Sequence, residues 1–353
     1  MQASDSTATR SVEDSAPFSV RPFAPRRFLS NGHLQTIVGN FLPREDRLPA
    51  PEAQLVEVAP GSASQIATQV LCHCHWQPSE VRADRLTVIL LHGLEGSSNS
   101  QYVVGNANKL WAAGMNVIRM NMRNCGGTEH LSPTLYHSGL SGDVRAVMHF
   151  FLSRERLEHI ALVGYSMGGN LVLKLVGELG SEGPKQLRAS VGVSPAVDLG
   201  PSADMLHRPT NRLYERRFLK ALTRRFRKKA VLFPKAFDPA KAEGLSSLRE
   251  FDDKVTAFYS GFSGANDYYF RAAAARVVDR IAIPTLILHA DDDPFVHITP
   301  ETRRKITANP HILMVEPQHG GHCAFLAEPD PSAGDDGYWA ETTLLRFLHS
   351  IVR

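Results

Sequence analysis

The segment "VGYSMGGNLVL", residues 163–173, sets one hydroxyl, that of Ser166, midway between Gly164 and Gly168. A short apolar run, Ile160 to Val163, leads in, and a longer one, Leu171 to Val176, leads out. A strand that stops here while a helix starts at once needs a very sharp turn. The residues two before and two after the serine must then approach each other, and only glycine leaves room. Such a turn lifts the hydroxyl off the sheet edge. It also aims the free N–H groups of the following helix at any negative charge that develops there.

Outward from this point, strand and helix patterns alternate. "LTVILLH" (86–92), "MNVIRMNM" (115–122), "HIALVGYS" (159–166), "RASVGVSPAV" (188–197), "PTLILHA" (284–290) and "HILMVEP" (311–317) read as strands. "NANKLWAAG" (106–114), "SGDVRAVMHFFLSR" (141–154), "GGNLVLKLVGELG" (168–180) and "YWAETTLLRFLHSIV" (338–352) read as helices. Strands that are continuous apolar runs, separated by helices, predict a mostly parallel sheet covered on both faces, an α/β fold. One block, about 200–280, breaks the alternation and is expected to be a helical cap inserted into a domain spanning 21–353. Its stretch 207–229 holds ten Arg or Lys and one acid, Glu215. Those charges are expected to be a solvated face without specific partners. Contact with a membrane surface or an acidic substrate is the alternative.

The bulk numbers exclude several classes. The chain has 353 residues, 43% hydrophobic and 21% charged, enough apolar material for a large core. A net charge of +3 gives no global sign of nucleic-acid binding. Residues 1–20 read as a leader, disordered over 1–17, with no apolar stretch of the secretory kind. No run is long enough to span a membrane, so a cytoplasmic protein is expected. Four cysteines are too few and too unevenly spaced for a disulfide framework. In "CHCHW" (72–76) a strand would put Cys72 and Cys74 on one face and His73 and His75 on the other. Each face then offers two ligands where a structural zinc wants four, so no metal is expected.

A serine hydroxyl is a weak nucleophile at neutral pH and needs a base, which in turn needs a carboxylate to orient it. Where an elbow carries such a set, the acid and then the histidine follow the serine along the chain. "LHADDDPFV" puts three acids after one strand, and "QHGGHCAF" puts two histidines after the next. Asp293 lies where its loop turns away, at Pro-Phe-Val. Asp291 and Asp292 read as loop capping or solvated charges. His322 follows the tight turn of Gly320 and Gly321 and is preferred to His319. The amides of Met167 and Leu94, the latter in "HGLEGSSNS", are the expected donors to an oxyanion. That loop lacks the Lys-Ser/Thr and the glycine spacing of a phosphate cradle.

These motifs resemble the α/β-hydrolase superfamily, and within it the fourth AB-hydrolase family, the YheT-like hydrolases. "LSNGHLQTIVGNF" (29–41) is similar to that family's N-terminal segment, "LLHGLEGSSNSQY" to its oxyanion loop, and "MNMRNCGGTE" to its strand-4 turn. "GYSMGGNLVLKLVGE" is similar to its elbow, "FDDKVTAFYSGF" with "DYYF" to its cap, "DDPF" to its acid loop and "HGGHCAF" to its histidine loop. The resemblance implies an α/β-hydrolase fold with a helical cap, and Ser166, Asp293 and His322 as the charge-relay set. It implies hydrolysis of small-molecule carboxylic esters, short-chain or lipid, without metal or organic cofactor. "CHCHW" departs from the acidic and aromatic strand of relatives. Three rivals stand beside this reading: an acyltransferase using the same acyl-enzyme, a non-catalytic binding module, and a membrane-surface protein recruited by the basic block 207–229. Activity is expected to fall near pH 6–7 as His322 protonates, following the reference pKa of histidine, about 6.5.

Overall fold

Thr87–Leu91, Asn116–Met120 and Ile160–Tyr165 are buried along their whole length, which is why they read as mainly apolar runs, interrupted in the second by Arg119. In the computed structural model, which describes residues 18–62 and 65–351, they form the centre of one eight-stranded sheet. The strands are β1 (Glu52–Ala59), β2 (Thr68–His75), β3 (Thr87–Leu91), β4 (Asn116–Met120), β5 (Ile160–Tyr165), β6 (Leu187–Val193), β7 (Thr285–Leu288) and β8 (Ile312–Val315). Their order is β1-β2-β4-β3-β5-β6-β7-β8. β1 and β2 pair antiparallel, as do β2 and β4; every other pair is parallel.

The helices are α1 (Gly32–Phe41), α2 (Gln101–Ala112), α3 (Ser141–Glu155), α4 (Met167–Leu179), α5 (Leu199–Leu206), α6 (Arg212–Leu232), α7 (Ala265–Ala272), α8 (Pro300–Ala308) and α9 (Trp339–Ile351), with shorter turns between them. Alternate strand residues feed two separate cores. Ile89, Ile118 and Leu162 face α3 and α4; Val88, Val117 and Val163 face α2 and α9. The parallel strands therefore all end on one edge, where the connecting loops gather.

The run between β6 and β7 carries α5, α6 and α7 and lies over that edge. Here the expectation for the basic stretch is corrected. Arg225 pairs with Glu95, Lys228 with Glu129, and the buried Lys229 ammonium donates to the carbonyls of Glu129 and Ser132. These three charges tie α6 to the body; for Lys229 and the largely enclosed Arg225 the pairing is needed because burying such a group unpaired is too costly, while Lys228 pairs at the surface. The remaining cations of α6, like Lys228, are exposed.

Of the leader assigned to 1–20, residues 1–17 lie outside the described residues. Within the remainder of that leader Phe18 and Val20 pack on the body: the Phe18 ring stands edge-on to Phe347, centroids 5.4 Å apart. In "CHCHW", Cys72 and Cys74 enter the core, while His73 meets the Ser98 hydroxyl and His75 accepts from Arg119. Among the described residues no helix is long and apolar enough to cross a membrane.

Candidate active site

β5 ends at Tyr165 and α4 begins at Met167, so the whole turn rests on Ser166, held at φ 54° and ψ −116°. A side chain at that φ is strained, and the surroundings must impose it. They do so through close approach. A Cβ on Gly164 would lie 2.1 Å from the Gly168 carbonyl oxygen, and one on Gly168 would lie 2.5 Å from that of His92. The Ser166 amide donates to the Val193 carbonyl at 2.9 Å, which locks the turn to β6.

The loops after β7 and β8 bring Asp293 and His322 to this serine. His322 Nε2 stands 2.9 Å from Ser166 Oγ, and His322 Nδ1 stands 2.7 Å from Asp293 Oδ2. The other Asp293 oxygen accepts from the amides of Phe295 and Val296, at 3.1 and 2.9 Å. This fixes the carboxylate at the turn where the sequence locates it. Burial opposes charge on both partners, but their mutual attraction outweighs it. Asp293 holds the His322 pKa above that of an ordinary histidine, and His322 holds the Asp293 pKa below that of an ordinary aspartate. If this imidazole acts as base, its acid limb is expected above the pH 6–7 anticipated from the sequence. The other two acids and the other histidine sit apart. Asp292 accepts from the Gly321 amide at 2.8 Å and faces His319 at 3.5 Å. Asp291 is exposed.

The amides of Leu94 and Met167 flank the serine. Around Leu94, the Gly93 amide donates to the Tyr102 hydroxyl, Glu95 to that of Tyr136, and Gly96 to the Gly93 carbonyl. The Leu94 and Met167 amides have no partner among the described residues. Both belong to residues lining the same cavity as Ser166. An oxygen seated between them would meet two unspent donors.

Two supports were not read from the sequence. The first is α1. Thr36 Oγ1 accepts from the His322 amide at 2.8 Å, and Gln35 bridges the carbonyls of Leu29 and Leu326 and the Leu326 amide. The "HLQT" stretch thus braces the histidine loop; the adjacent polar pair Gln35 and Thr36, buried while Leu34 and Ile37 beside them are half exposed, shows in the structure but gives no such sign in the sequence. The second is Glu95, itself at φ 58°. Its carboxylate accepts from the Tyr136 hydroxyl at 2.5 Å and from Arg225 at 2.8 and 3.1 Å. The residue after Leu94 is thereby clamped from α6.

Two cavities meet at Ser166. One, about 1040 Å³ including its mouth, runs under α5 and α6 between Leu206, Phe218, Leu222, Phe226 and Phe251. The two charged groups Lys229 and Asp252 on its wall are held by protein partners, Lys229 by the carbonyls of Glu129 and Ser132 and Asp252 by the hydroxyls of Thr256 and Tyr269. The second, about 1620 Å³ and open to solvent, lies between α1 and α6 and is lined by His322. They share Leu94, Ser166, Phe218 and Phe295.

Residues 87–329 match the family model described as alpha/beta hydrolase fold. The chain is 30% identical over 309 residues to "Putative esterase YheT" of Escherichia coli (strain K12), covering 86% of this chain and 87% of that one. It is 32% identical over 246 residues to the phospholipase ABHD3 of Mus musculus, covering 69% of this chain and 59% of that protein. Among solved structures, the 2,6-dihydroxy-pseudo-oxynicotine hydrolase aligns with a TM-score of 0.55 at 16% identity, over 91% of this chain and 72% of that one. That last likeness is one of fold.

Proposed function

The chain belongs to the α/β-hydrolase family, and from that premise we propose that it hydrolyses carboxylic esters through Ser166, His322 and Asp293. One observation carries the reading: a strained serine hydroxyl 2.9 Å from an imidazole whose other nitrogen is 2.7 Å from a buried carboxylate. His322 Nε2 takes the proton of Ser166 as Oγ attacks the ester carbonyl carbon. The carbonyl oxygen gains the negative charge and rests on the amides of Leu94 and Met167. His322 then gives its proton to the departing alcohol as the acyl–oxygen bond breaks. Water attacks the acyl-enzyme by the same route, with His322 again as base, and the carboxylic acid leaves. Asp293 keeps the imidazole tautomer and its orientation throughout.

The two cavities divide the substrate. The group that leaves must stand beside His322, which lines the open cavity alone. The acyl group therefore extends into the apolar cavity under α5 and α6. A cavity of that size and lining suits an aliphatic acyl chain, in keeping with relatives named an esterase and a phospholipase.

Labelling by a fluorophosphonate, with the wild-type protein beside Ser166→Ala, tests the assignment. Labelling of wild type and none of the variant is expected, followed by turnover of p-nitrophenyl esters graded by acyl length. A folded wild-type protein that takes no label and turns over no ester would put the binding-module reading first.

A further inference from the structure

Helix α6 has two opposed faces. Leu213, Arg216, Arg217, Lys220, Arg224 and Arg227 follow at helical spacing along one face, and all are exposed. Its one acid, Glu215, is buried against His207. Among the described residues none of these five cations has a carboxylate partner. Beside this face lies α1, whose Leu34, Ile37 and Phe41 share one side at i, i+3 and i+7 and are 47%, 44% and 67% exposed. Leu213 is 80% exposed. The two helices touch: His33 Nδ1 is 3.3 Å from the Tyr214 hydroxyl, and the Arg217 guanidinium stands 5.8 Å from the Phe41 ring centre. Ile37, Phe41 and Arg217 together line the open cavity that leads to Ser166.

We propose that this face docks on an anionic lipid bilayer and turns the opening to Ser166 toward the lipid. The cations of α6 meet headgroup phosphates, while the α1 stripe and Leu213 enter the interface. A soluble polyanion such as nucleic acid would satisfy the cations but leave the apolar stripe in water; a bilayer meets both. The inference deepens the ester-hydrolase reading by naming the surface from which a lipid ester would come. Docking itself, however, does not require turnover.

The test therefore uses the full chain carrying Ser166→Ala, so that binding is read without hydrolysis. Sedimentation with phosphatidylcholine vesicles, with and without phosphatidylglycerol, supplies the readout. Binding is expected only with phosphatidylglycerol and only at low salt. Replacing Arg216, Lys220 and Arg224 by Gln should weaken it on the order of a hundredfold, at about fivefold per cation. Leu34→Ser with Leu213→Ser should weaken it as well. All these side chains are exposed, so thermal melting checks that the variants fold. No binding to anionic vesicles at low salt would overturn the proposal, as would binding indifferent to the Gln substitutions. Binding lost with the cations but untouched by the two Ser substitutions would assign the face to polyanions in general and overturn the bilayer. Failure of any of these leaves fluorophosphonate labelling of Ser166 as it was.

Discussion

Ser166 owes its strained backbone to what its neighbours lack. With Cβ atoms at 164 or 168 the turn would collide with backbone oxygens at 2.1 and 2.5 Å, and backbone cannot swing aside as a side chain can. That requirement is local, so it was legible in eleven letters; the order acid-then-histidine spans 156 positions and was legible because each residue follows its own apolar strand run. The electrostatic coupling was not, because it depends on burial that no spacing reveals. It shifts the simple expectation for pH upward without changing its sign. Asp293 raises the pKa of His322, so the imidazole stays protonated, and unable to act as base, to a higher pH than a free histidine. Ester turnover should therefore climb with pH through a limb above the reference value of about 6.5. Asp293→Asn removes the attraction: the limb should move down while kcat drops by about 10⁴-fold. A pH profile of kcat/KM on a soluble ester for both proteins decides this. A limb that stays in place in the Asn variant would sever Asp293 from the proton transfer.

At the scale of elements, the sheet interior was the easiest part to read. β3, β4 and β5 are buried on both faces and look it. β1 escaped because it is an edge strand whose Glu52 and Glu57 face solvent, leaving no apolar run to notice. α6 was half legible. Its basic count was plain, but the pairing of Arg225 with Glu95 spans 130 positions, and nothing nearby in the chain announces it. That pair carries a consequence for rate. Glu95 follows Leu94, so Arg225 sets the amide proposed to hold the oxyanion. Losing such a donor outright costs about 10²–10³-fold, so displacing it through Arg225→Gln should lower kcat by roughly tenfold with KM little changed. A purely structural role predicts a different pattern. Arg225→Gln also leaves a largely buried carboxylate unpaired, at about 1–3 kcal/mol. Adding Glu95→Gln should then restore most of the melting temperature without restoring kcat. If rate and melting temperature recover together in the double variant, Arg225 only holds the fold.

For the whole molecule, the sheet supplies one edge where all the chemistry gathers, and the insertion between β6 and β7 divides the space above it in two. The division matters because a serine at a strand end is otherwise open on every side. α6 roofs the apolar cavity with Leu222, Phe226 and Phe218, and its outer face looks to solvent beside α1. In the proposed reaction the same helix separates an acyl chain from the side by which its alcohol leaves. Leu222 sits on the roof and is 8% exposed, so a larger side chain there must grow into the cavity. Overfilling a packed site costs about 1–3 kcal/mol, enough to reject a chain without unfolding the helix that carries it. Leu222→Trp should therefore cut kcat/KM for octanoyl esters by roughly ten- to a hundredfold, the kinetic equivalent of that cost. Acetyl esters, which need only the space at Ser166, should keep theirs. Varying the alcohol at fixed acyl length should leave the effect of the substitution unchanged, since that group lies toward His322 and α1. Equal losses on short and long acyl esters would place the acyl chain outside this cavity. A loss that follows the alcohol would exchange the two sides, and with them the direction from which the ester approaches Ser166.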